Sequence, residues 1–570
     1  MSSNWTVLLD GTSLPDRSLI GGKAWSIARM RGMDLPVPPA FVITTAACNA
    51  YLAQGDFPEG LEAEIEAGLA WLNDATGRHF GGADKPLLLS VRSGAAISMP
   101  GMMDTVLNLG IDDAAESALA TESGLPDFAR DTHRRFLELY ASIVLKMPVE
   151  LDHDADPAGW RAQVDVPATP RECLTGAVRA VFDSWNTRRA KKYREHNGIP
   201  HDMGTAVTIQ AMVFGNLDDR SGTGVLFSRN PLTGEASPYG EYLPRAQGED
   251  VVSGKFTPLP LDAMRDLDPA AHAALLDATA RLEREHRDMQ DIEFTVQSGT
   301  LYLLQARSAK RAPDAAVRAA VEMVGEELID IDQALSRVSP EQVRALLLPR
   351  LGTGAQDAAI VAQGEGACPG VACGTVVTDP DEAERRAAAG EAVILVRATT
   401  SPDDIHGMIA AKAVVTEQGG STSHAAVVSR ALGRPCVVGV GDGRGPQPGA
   451  LVTVDGETGR VYAGELPVEM PDEAGDSRLA QLIIWARERS PVRVLRPADA
   501  AGLDGVIDID ALWSGGEPDE LSALLHGASA ARGVTLANPD TARIARAQGV
   551  QTIVTEPVLP ALLALLGEAA

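Results

Sequence analysis

Residues 419–433 have the sequence GGSTSHAAVVSRALG, and this stretch decides how the centre of the chain folds. Two adjacent glycines permit a tight turn, and the hydroxyl residues that follow them are suitable helix caps. The apolar residues after His424 predict a short helix with this histidine in its first turn. Strand-like runs at residues 413–416 and 436–440 flank the helix, so we expect a strand–helix–strand unit.

The position of His424 favours a chemical role. Free backbone N–H groups and the positive end of the helix dipole stabilise an anion at a helix N-terminus. Neutral imidazole, with a reference pKa of about 6.5, is available as a nucleophile at pH 7. We therefore interpret His424 as a catalytic residue that carries a phosphoryl group. The alternative is an ordinary histidine near a helix start, and the carrier interpretation requires a phosphoryl donor site elsewhere in the chain.

Bulk composition narrows the class of protein. A length of 570 residues allows two to four domains. The net charge of −28 argues against nucleic acid or an anionic membrane as a partner, because an acidic surface gains no counterion release from either. The five cysteines lack zinc-site spacing, and no run of about 18 apolar residues occurs. We expect a cytoplasmic protein.

The order of the segments predicts several domains. Strand-like, glycine-rich segments occupy the first 110 residues and recur from residue 206 to about 307, with a helical region between them. An alanine-rich helical connector precedes short β runs around His424, and the last hundred residues alternate between strand-like and helix-like segments. We expect an α/β and α+β multidomain protein. Its three units are residues 1–340, 341–470 and 471–570.

Candidate donor-site residues are scattered through the first unit. No GxxxxGK[ST] P-loop is present, so a nucleotide site must be of another kind. Lys23 follows two glycines, although surface lysines in this context are common. Arg92 ends an apolar strand before a glycine loop, and a guanidinium binds phosphate oxygens as a bidentate fork. Residues 100–105 can fold over phosphates, with backbone N–H groups near Gly101 and the hydroxyl of Thr105.

The strongest local group of charged residues lies in a predicted β-hairpin. Residues 291–297 and 301–307 alternate as strands and are joined by Ser298-Gly299-Thr300. A three-residue loop with Gly299 in the left-handed conformation predicts a register that projects four polar side chains together. The pairs are Asp291 with Arg307 and Glu293 with Gln305.

This register predicts a magnesium site. Carboxylate and amide oxygens are suitable Mg²⁺ ligands, so Glu293 and Gln305 are the candidate ligands, while Arg307 neutralises phosphates. The alternative is a solvent-facing hairpin with charged pairs. A two-residue loop would send Gln305 to the opposite face and weaken the metal hypothesis, so the observed register tests it.

Taken together, ordered motifs resemble the pyruvate, phosphate dikinase family over roughly residues 15 to 465. They are GGK at 21–23, LPVPP at 35–39, SVRSG at 90–94, SMPGMMDT at 98–105, GTGV at 222–225, RNP at 229–231, QGEDVV at 247–252, MQDIEF at 289–294 and the His424 block. The resemblance implies an ATP-grasp nucleotide-binding domain in the first unit and a swivelling phosphohistidine domain of β/β/α type in the second.

The resemblance also implies a reaction. In this family the histidine attacks the β-phosphorus of ATP, inorganic phosphate removes the γ-phosphoryl group as diphosphate, and the phosphohistidine moves to a third domain to phosphorylate pyruvate. It implies that His424 is the nucleophile, that Gln210 lies near the adenine end and that Thr422 is a site of regulatory phosphorylation. The residues implied to bind ATP or its Mg²⁺ are Lys23, Arg92, Gly101, Thr105, Gln210, Asp291, Glu293, Gln305 and Arg307.

The third unit departs from the family pattern. A (β/α)₈ barrel needs about 250 residues, whereas about one hundred follow residue 470, without a cysteine to match the family's proton donor. We therefore expect the acceptor half-reaction to be altered or supplied by another chain, and we consider a homodimer. One alternative is a phosphotransferase for another small molecule. The other is a non-catalytic, nucleotide-binding regulatory paralogue.

Overall fold

A computed structural model describes residues 5–97, 99, 105–152, 155, 157–252, 256–347, 350–352, 358–432, 434–469, 471–513 and 517–566. The N-terminal part contains two five-stranded antiparallel sheets and a separate pair of short parallel strands. Its strands are β1 (Thr6–Leu8), β2 (Ala40–Ile43), β3 (His79–Phe80), β4 (Pro86–Leu87), β5 (Leu89–Gly94), β6 (Thr105–Leu109), β7 (Ala206–Ala211), β8 (Gly222–Phe227), β9 (Tyr239–Pro244), β10 (Leu259–Pro260), β11 (Gln290–Gln297) and β12 (Thr300–Ser308).

The first sheet has the order β1-β2-β7-β5-β6 and the second the order β10-β9-β8-β11-β12. The central strands β7 and β8 are buried along their whole length, which agrees with their small and apolar composition. The helices of this part are α1 (Arg17–Gly32), α2 (Thr45–Gln54), α3 (Leu61–Thr76), α4 (Asp113–Ser123), α5 (Pro126–Ile143), α6 (Pro157–Arg161), α7 (Pro170–Ser184), α8 (Arg188–His196), α9 (Gly248–Val252), α10 (Asp262–Leu267) and α11 (Pro269–His286).

The β11–β12 hairpin corrects one prediction. Its loop has two residues, Ser298 and Gly299, with φ of 47° and 79°, and Gln297 pairs with Thr300. The predicted three-residue loop is therefore wrong, because two left-handed residues form a tight two-residue turn. A β-bulge after Glu293 inserts one extra residue opposite and restores the register further along the strands. As a result the two predicted pairs form, Asp291 with Arg307 and Glu293 with Gln305.

Three helices connect the N-terminal part to the rest of the chain: α12 (Pro313–Gly325), α13 (Ile331–Arg337) and α14 (Pro340–Leu346). The predicted connector is thus helical. Its buried side chains, such as Val317 and Val343, share one hydrophobic core with the C-terminal segment, including Leu482 and Leu562. The connector therefore anchors the C-terminal segment rather than forming an extended linker.

An eight-stranded mixed sheet follows, in the order β14-β21-β20-β16-β17-β18-β19-β15, beside a short β13–β22 pair. Its elements include the predicted strand–helix–strand unit, β18-α17-β19, whose two strands are parallel. The strands are β13 (Arg350–Leu351), β14 (Ile360–Gln363), β15 (Glu365–Cys368), β16 (Val371–Val377), β17 (Val393–Arg397), β18 (Ala413–Thr416), β19 (Cys436–Val438), β20 (Leu451–Asp455), β21 (Arg460–Ala463) and β22 (Val468–Glu469). The helices are α15 (Pro380–Ala388), α16 (Ile405–Ala410) and α17 (His424–Leu432).

The C-terminal segment is a small α/β unit, as its alternating pattern predicted. Four parallel strands have the order β23-β26-β25-β24. They are β23 (Arg493–Leu495), β24 (Val506–Asp508), β25 (Ala530–Arg532) and β26 (Thr552–Val554), with helices α18 (Ser477–Arg489), α19 (Ile509–Leu512), α20 (Pro518–Leu525), α21 (Pro539–Ala547) and α22 (Leu559–Leu566). Among the helices that the structure describes, none has the length and apolar character needed to cross a lipid bilayer.

Candidate active site

A cavity of about 700 Å³ lies between the first sheet, the β11–β12 hairpin and helix α17. It brings together five of the residues that the sequence predicted to bind ATP or its metal. They are Lys23, Arg92, Glu293, Gln305 and Arg307. Residues up to 284 positions apart in the chain, Lys23 and Arg307, thus contribute to one polar site.

Lys23 reaches the cavity because helix α1 is kinked two residues before it. Gly21 has a φ of 75°, and a β-carbon at this position would overlap the carbonyl oxygen of Gly94 at the end of β5. Only glycine therefore permits this close approach. Burial, followed by the charge of Arg92, lowers the pKa of Lys23 to about 7, although the Glu293 carboxylate opposes this shift.

Arg92 connects the two sheets across the cavity. Its Nη2 donates to Glu293 Oε2 at 3.0 Å and to Gln305 Oε1 at 3.4 Å, and its Nη1 donates to the Leu304 carbonyl at 3.4 Å. Burial raises the pKa of Glu293, but the charges of Arg92, Arg307 and Lys23 outweigh burial, so the pKa lies below its ordinary value. Glu293 is therefore a carboxylate at neutral pH.

A second ion pair lies further along the hairpin. Arg307 Nε donates to Asp291 Oδ2 at 2.8 Å, and Asp291 is only 3% exposed. Its other oxygen, Oδ1, is buried without a hydrogen-bond partner. Asp291 and Glu293 are two residues apart on β11, Glu293 pairs with Gln305, and carboxylate and amide oxygens are ligands suited to Mg²⁺. The side chains present therefore fit a magnesium ion, with Asp291, Glu293 and Gln305 as its candidate holders.

Two other predicted residues, Thr105 and Gln210, lie outside the described lining of the cavity. Thr105 is paired with Arg92 across β5 and β6, beside the cavity. Gln210 is buried in β7 and its Nε2 donates to the Pro38 carbonyl at 3.1 Å, so its amide already has a partner. Neither residue belongs to the described lining of the cavity, and the roles implied for them stay predictions. Gly101 lies outside the described residues.

His424 is the first residue of α17, and the same helix contributes Val427 to the cavity wall. The Nδ1 atom of His424 lies 3.1 Å from Thr400 Oγ1, while its Nε2 is buried without a hydrogen-bond partner. Burial lowers the pKa of His424, although the Asp404 charge opposes the shift. The imidazole is therefore neutral at pH 7, and a tautomer that donates from Nδ1 to Thr400 leaves the Nε2 lone pair available.

Two functional candidates escaped sequence reasoning. Thr400 follows β17 and so lies at the carboxyl end of a strand that is parallel to β18, where polar residues commonly meet in parallel sheets. Lys310 adds another cation to the cavity, and burial lowers its pKa. The sequence feature that could have identified Lys310 is its position three residues after Arg307, close to the end of a predicted strand.

Thr422 lies at the boundary between the mixed sheet and the N-terminal part. Its hydroxyl donates to Glu241 of β9, and the residue is 4% exposed. A site of regulatory phosphorylation was predicted here from the resemblance, and this role stays a prediction.

Two family models match the chain. The model for the AMP/ATP-binding domain of pyruvate phosphate dikinase matches residues 17–75, 52–264 and 262–328. The model for the mobile domain of PEP-utilising enzymes matches residues 389–459. The first covers both antiparallel sheets except strand β1, and the second covers His424 and its helix.

Curated relatives agree with these matches. The pyruvate, phosphate dikinase of Rhizobium meliloti (strain 1021) is 42% identical over 547 residues, covering 86% of this chain and 61% of the relative. The chloroplastic pyruvate, phosphate dikinase 1 of Zea mays is 43% identical over 527 residues, covering 85% and 55%. The pyruvate, phosphate dikinase of Clostridium symbiosum is 39% identical over 542 residues, covering 87% and 62%. The chain thus spans less than two thirds of the length of these relatives, and it belongs to the pyruvate, phosphate dikinase family.

Proposed function

We propose that this chain is an ATP-dependent phosphotransferase that forms phosphohistidine at His424. The single observation that carries this proposal is that α17, which begins at His424, forms part of the wall of the polar cavity. Inorganic phosphate and pyruvate, or another small acceptor, complete the proposed reaction. With pyruvate, ATP and phosphate would yield AMP, diphosphate and phosphoenolpyruvate.

The cavity residues suit the binding of a triphosphate. Lys23, Arg92 and Arg307 supply positive charge, and a bound polyanion favours the protonated form of Lys23. Phosphate oxygens would compete with Glu293 for the Arg92 guanidinium, whose fork geometry suits them. Magnesium, held by Asp291, Glu293 and Gln305, would neutralise charge that develops on the phosphates.

His424 would then act as the nucleophile. Its Nε2 lone pair forms a bond to the β-phosphorus of ATP while the bond between this phosphorus and the bridging oxygen to the α-phosphorus breaks, releasing AMP. Inorganic phosphate next attacks the γ-phosphorus, which releases diphosphate and leaves one phosphoryl group on Nε2. Throughout, the proton on Nδ1 remains hydrogen-bonded to Thr400, so the ring needs no external base.

The acceptor of the phosphoryl group is the second part of the proposed reaction. The C-terminal unit has four parallel strands, and we propose delivery of the phosphoryl group to another chain or to an altered acceptor. Light scattering on the purified protein tests a homodimer as such an assembly. A cytoplasmic site of action is part of the proposal and is supported by the five free cysteines, which suit a reducing compartment.

Intact-mass measurement after addition of Mg-ATP and phosphate tests the proposal. We expect a gain of one phosphoryl group that is labile to acid, with release of AMP, and neither product in His424→Ala. A chase with pyruvate and other small acceptors then identifies the recipient. ATP binding without a phosphoenzyme and without AMP would refute the proposal and favour a regulatory, nucleotide-binding paralogue.

A further inference from the structure

Helices α15 and α16, which pack on the mixed sheet, bring three metal-ligating side chains together. Asp381 and Glu384 lie on α15, and His406 lies on α16. One ligand atom from each of these residues lies within 4.8 Å of the ligand atoms of the other two. Among the residues that the structure describes, this is the one group of three histidine, cysteine or acidic side chains that approach each other so closely.

The start of α15 places both carboxylates on one face of the helix. The Asp379 side chain caps the helix by accepting a hydrogen bond of 2.8 Å from a backbone N–H of the first turn, and Pro380 occupies the first helical position. These two residues fix where the helix begins. Asp381 and Glu384 are three residues apart, so they are neighbours on the same face.

Helix α16 approaches α15 closely because it contains Gly407. A β-carbon at this position would lie 2.6 Å from the α-carbon of Pro380, so only glycine permits this approach. Ala383 of α15 and Met408 of α16 are fully buried in one hydrophobic core with the sheet. The backbone on both sides of the three side chains is therefore fixed by packing, and a ligand requires only rotation of side chains.

The imidazole of His406 faces α15. Its Nε2 atom lies 2.9 Å from Asp381 Oδ1, but it is buried and makes no hydrogen bond. A buried polar atom without a hydrogen bond is unfavourable, and two carboxylates placed near each other repel. A cation between the three ligand atoms removes both unfavourable contributions.

The donor atoms of this group suit zinc. Imidazole nitrogen binds Zn²⁺ at about 2.0–2.1 Å and carboxylate oxygen at about 2.0–2.2 Å, and a site with three protein ligands holds water in its fourth position. The Asp381 side chain is 88% exposed and Glu384 is also exposed, so both carboxylates are free to rotate and water has access. Arg386, a neighbouring cation on α15, pairs with Glu382 and Glu391 instead.

We propose that Asp381, Glu384 and His406 form a zinc-binding site that links α15 to α16. None of the three belongs to the described lining of the nucleotide cavity, so this site is separate from the candidate magnesium site. Bound zinc stabilises the folded mixed sheet, because the unfolded chain does not hold the three ligands together. The proposal is independent of the proposed function, since it requires no phosphoryl transfer.

Calorimetric titration of the full chain with zinc chloride tests the site. We choose a Cys373→Ser background, because Cys373 is half-buried whereas the other four cysteines are buried, and excess magnesium chloride to occupy sites made of oxygen ligands alone. We expect one zinc ion per chain. His406→Ala and Glu384→Gln should each weaken binding by at least about tenfold.

Two further measurements identify the ligands and the effect of binding. X-ray absorption spectroscopy of the zinc-loaded protein should show oxygen and nitrogen ligands with a single imidazole. Zinc should raise the Tm of the background protein but not that of His406→Ala. No binding by the background protein, equal affinity in His406→Ala, or sulfur among the ligands would overturn the proposal.

The matched control is Glu382→Gln, which neutralises a carboxylate on the same helix that contacts Arg386. This variant should bind zinc as the background protein does, because Glu382 is not one of the three ligands. A loss of affinity as large as that of Glu384→Gln would show that zinc responds only to the overall charge of α15, and it would also overturn the proposal.

Discussion

Arg92 Nη2 lies 3.0 Å from Glu293 Oε2, and this ion pair joins the two antiparallel sheets that enclose the cavity. The residues are 201 positions apart in the chain. Arg92 is 12% exposed and Glu293 is 32% exposed in their side chains, so the pair is only partly shielded from water. The same guanidinium is the candidate phosphate ligand, which means that nucleotide binding and the contact between the sheets share one group.

Replacing Arg92 should therefore affect both stability and phosphoryl transfer. In Arg92→Ala we expect a loss of about 1–3 kcal/mol in the free energy of unfolding, since Glu293 and Gln305 lose a charged donor. Phosphoenzyme formation should fall by at least about 100-fold. Urea denaturation and radiolabelling measure the two effects. Arg78→Ala, which removes a surface pair with Glu122, is the control, and an equal loss of labelling there would contradict the assignment.

Lys23 should take up a proton when ATP binds. Its pKa of about 7 in the cavity means that most of it is neutral at pH 8, whereas a bound polyanion stabilises the ammonium form and raises the pKa. Affinity for ATP should therefore fall as pH rises above 7, by up to about tenfold per unit. Calorimetry at pH 8 in two buffers of different ionisation enthalpy measures the uptake. Lys23→Met should abolish it, and persistence of the uptake in this variant would assign the proton to another group.

His424 should remain nucleophilic under mildly acidic conditions. Because burial lowers its pKa, the neutral form persists below the usual titration range, and the rate falls only as pH drops through the lowered value. A pH profile of phosphoenzyme formation measures this limb. In Thr400→Val the hydrogen bond to Nδ1 is lost, so we expect a rate about tenfold lower, with Thr400→Ser restoring most of it. A wild-type rate in Thr400→Val would exclude Thr400 as the partner that orients the ring.

A negative charge at position 422 should weaken the contact between the loop that precedes His424 and strand β9. Thr422 contacts Glu241, and Glu365 lies on the other side of the adjacent Ser421, so Thr422→Asp places like charges together. We expect labelling of His424 to fall by at least about tenfold, while affinity for ATP is retained. Thr422→Ser, which keeps the hydroxyl, is the control. Normal labelling of Thr422→Asp would show that the contact with Glu241 is unimportant for transfer.

Local patterns predicted much of the site. The strand–helix–strand unit around His424 and the polar face of the hairpin follow from periodicity over fewer than thirty residues each. The pairing of Glu293 with Gln305 was predicted correctly from an incorrect loop, because the bulge compensates for the shorter turn. A bulge depends on packing against neighbouring strands, such as β8 against β11, and therefore has little signal in the hairpin sequence itself.

Contacts between segments that are far apart in the chain left no comparable pattern in the local sequence. Tyr239 and Glu241, which contact the loop before His424, lie on a strand that resembles any other strand with polar residues near the edge of a sheet. Their partners are about 180 positions away in the chain. Likewise, Asp291 Oδ1 is orphaned and Lys23 has a lowered pKa only because burial and neighbouring charges come from separate elements. Residue types and local spacing suffice to predict which side chains can take part in phosphoryl transfer. The assembly of two sheets and a docked helix decides which of them meet, because burial and charge coupling arise only when remote segments pack together.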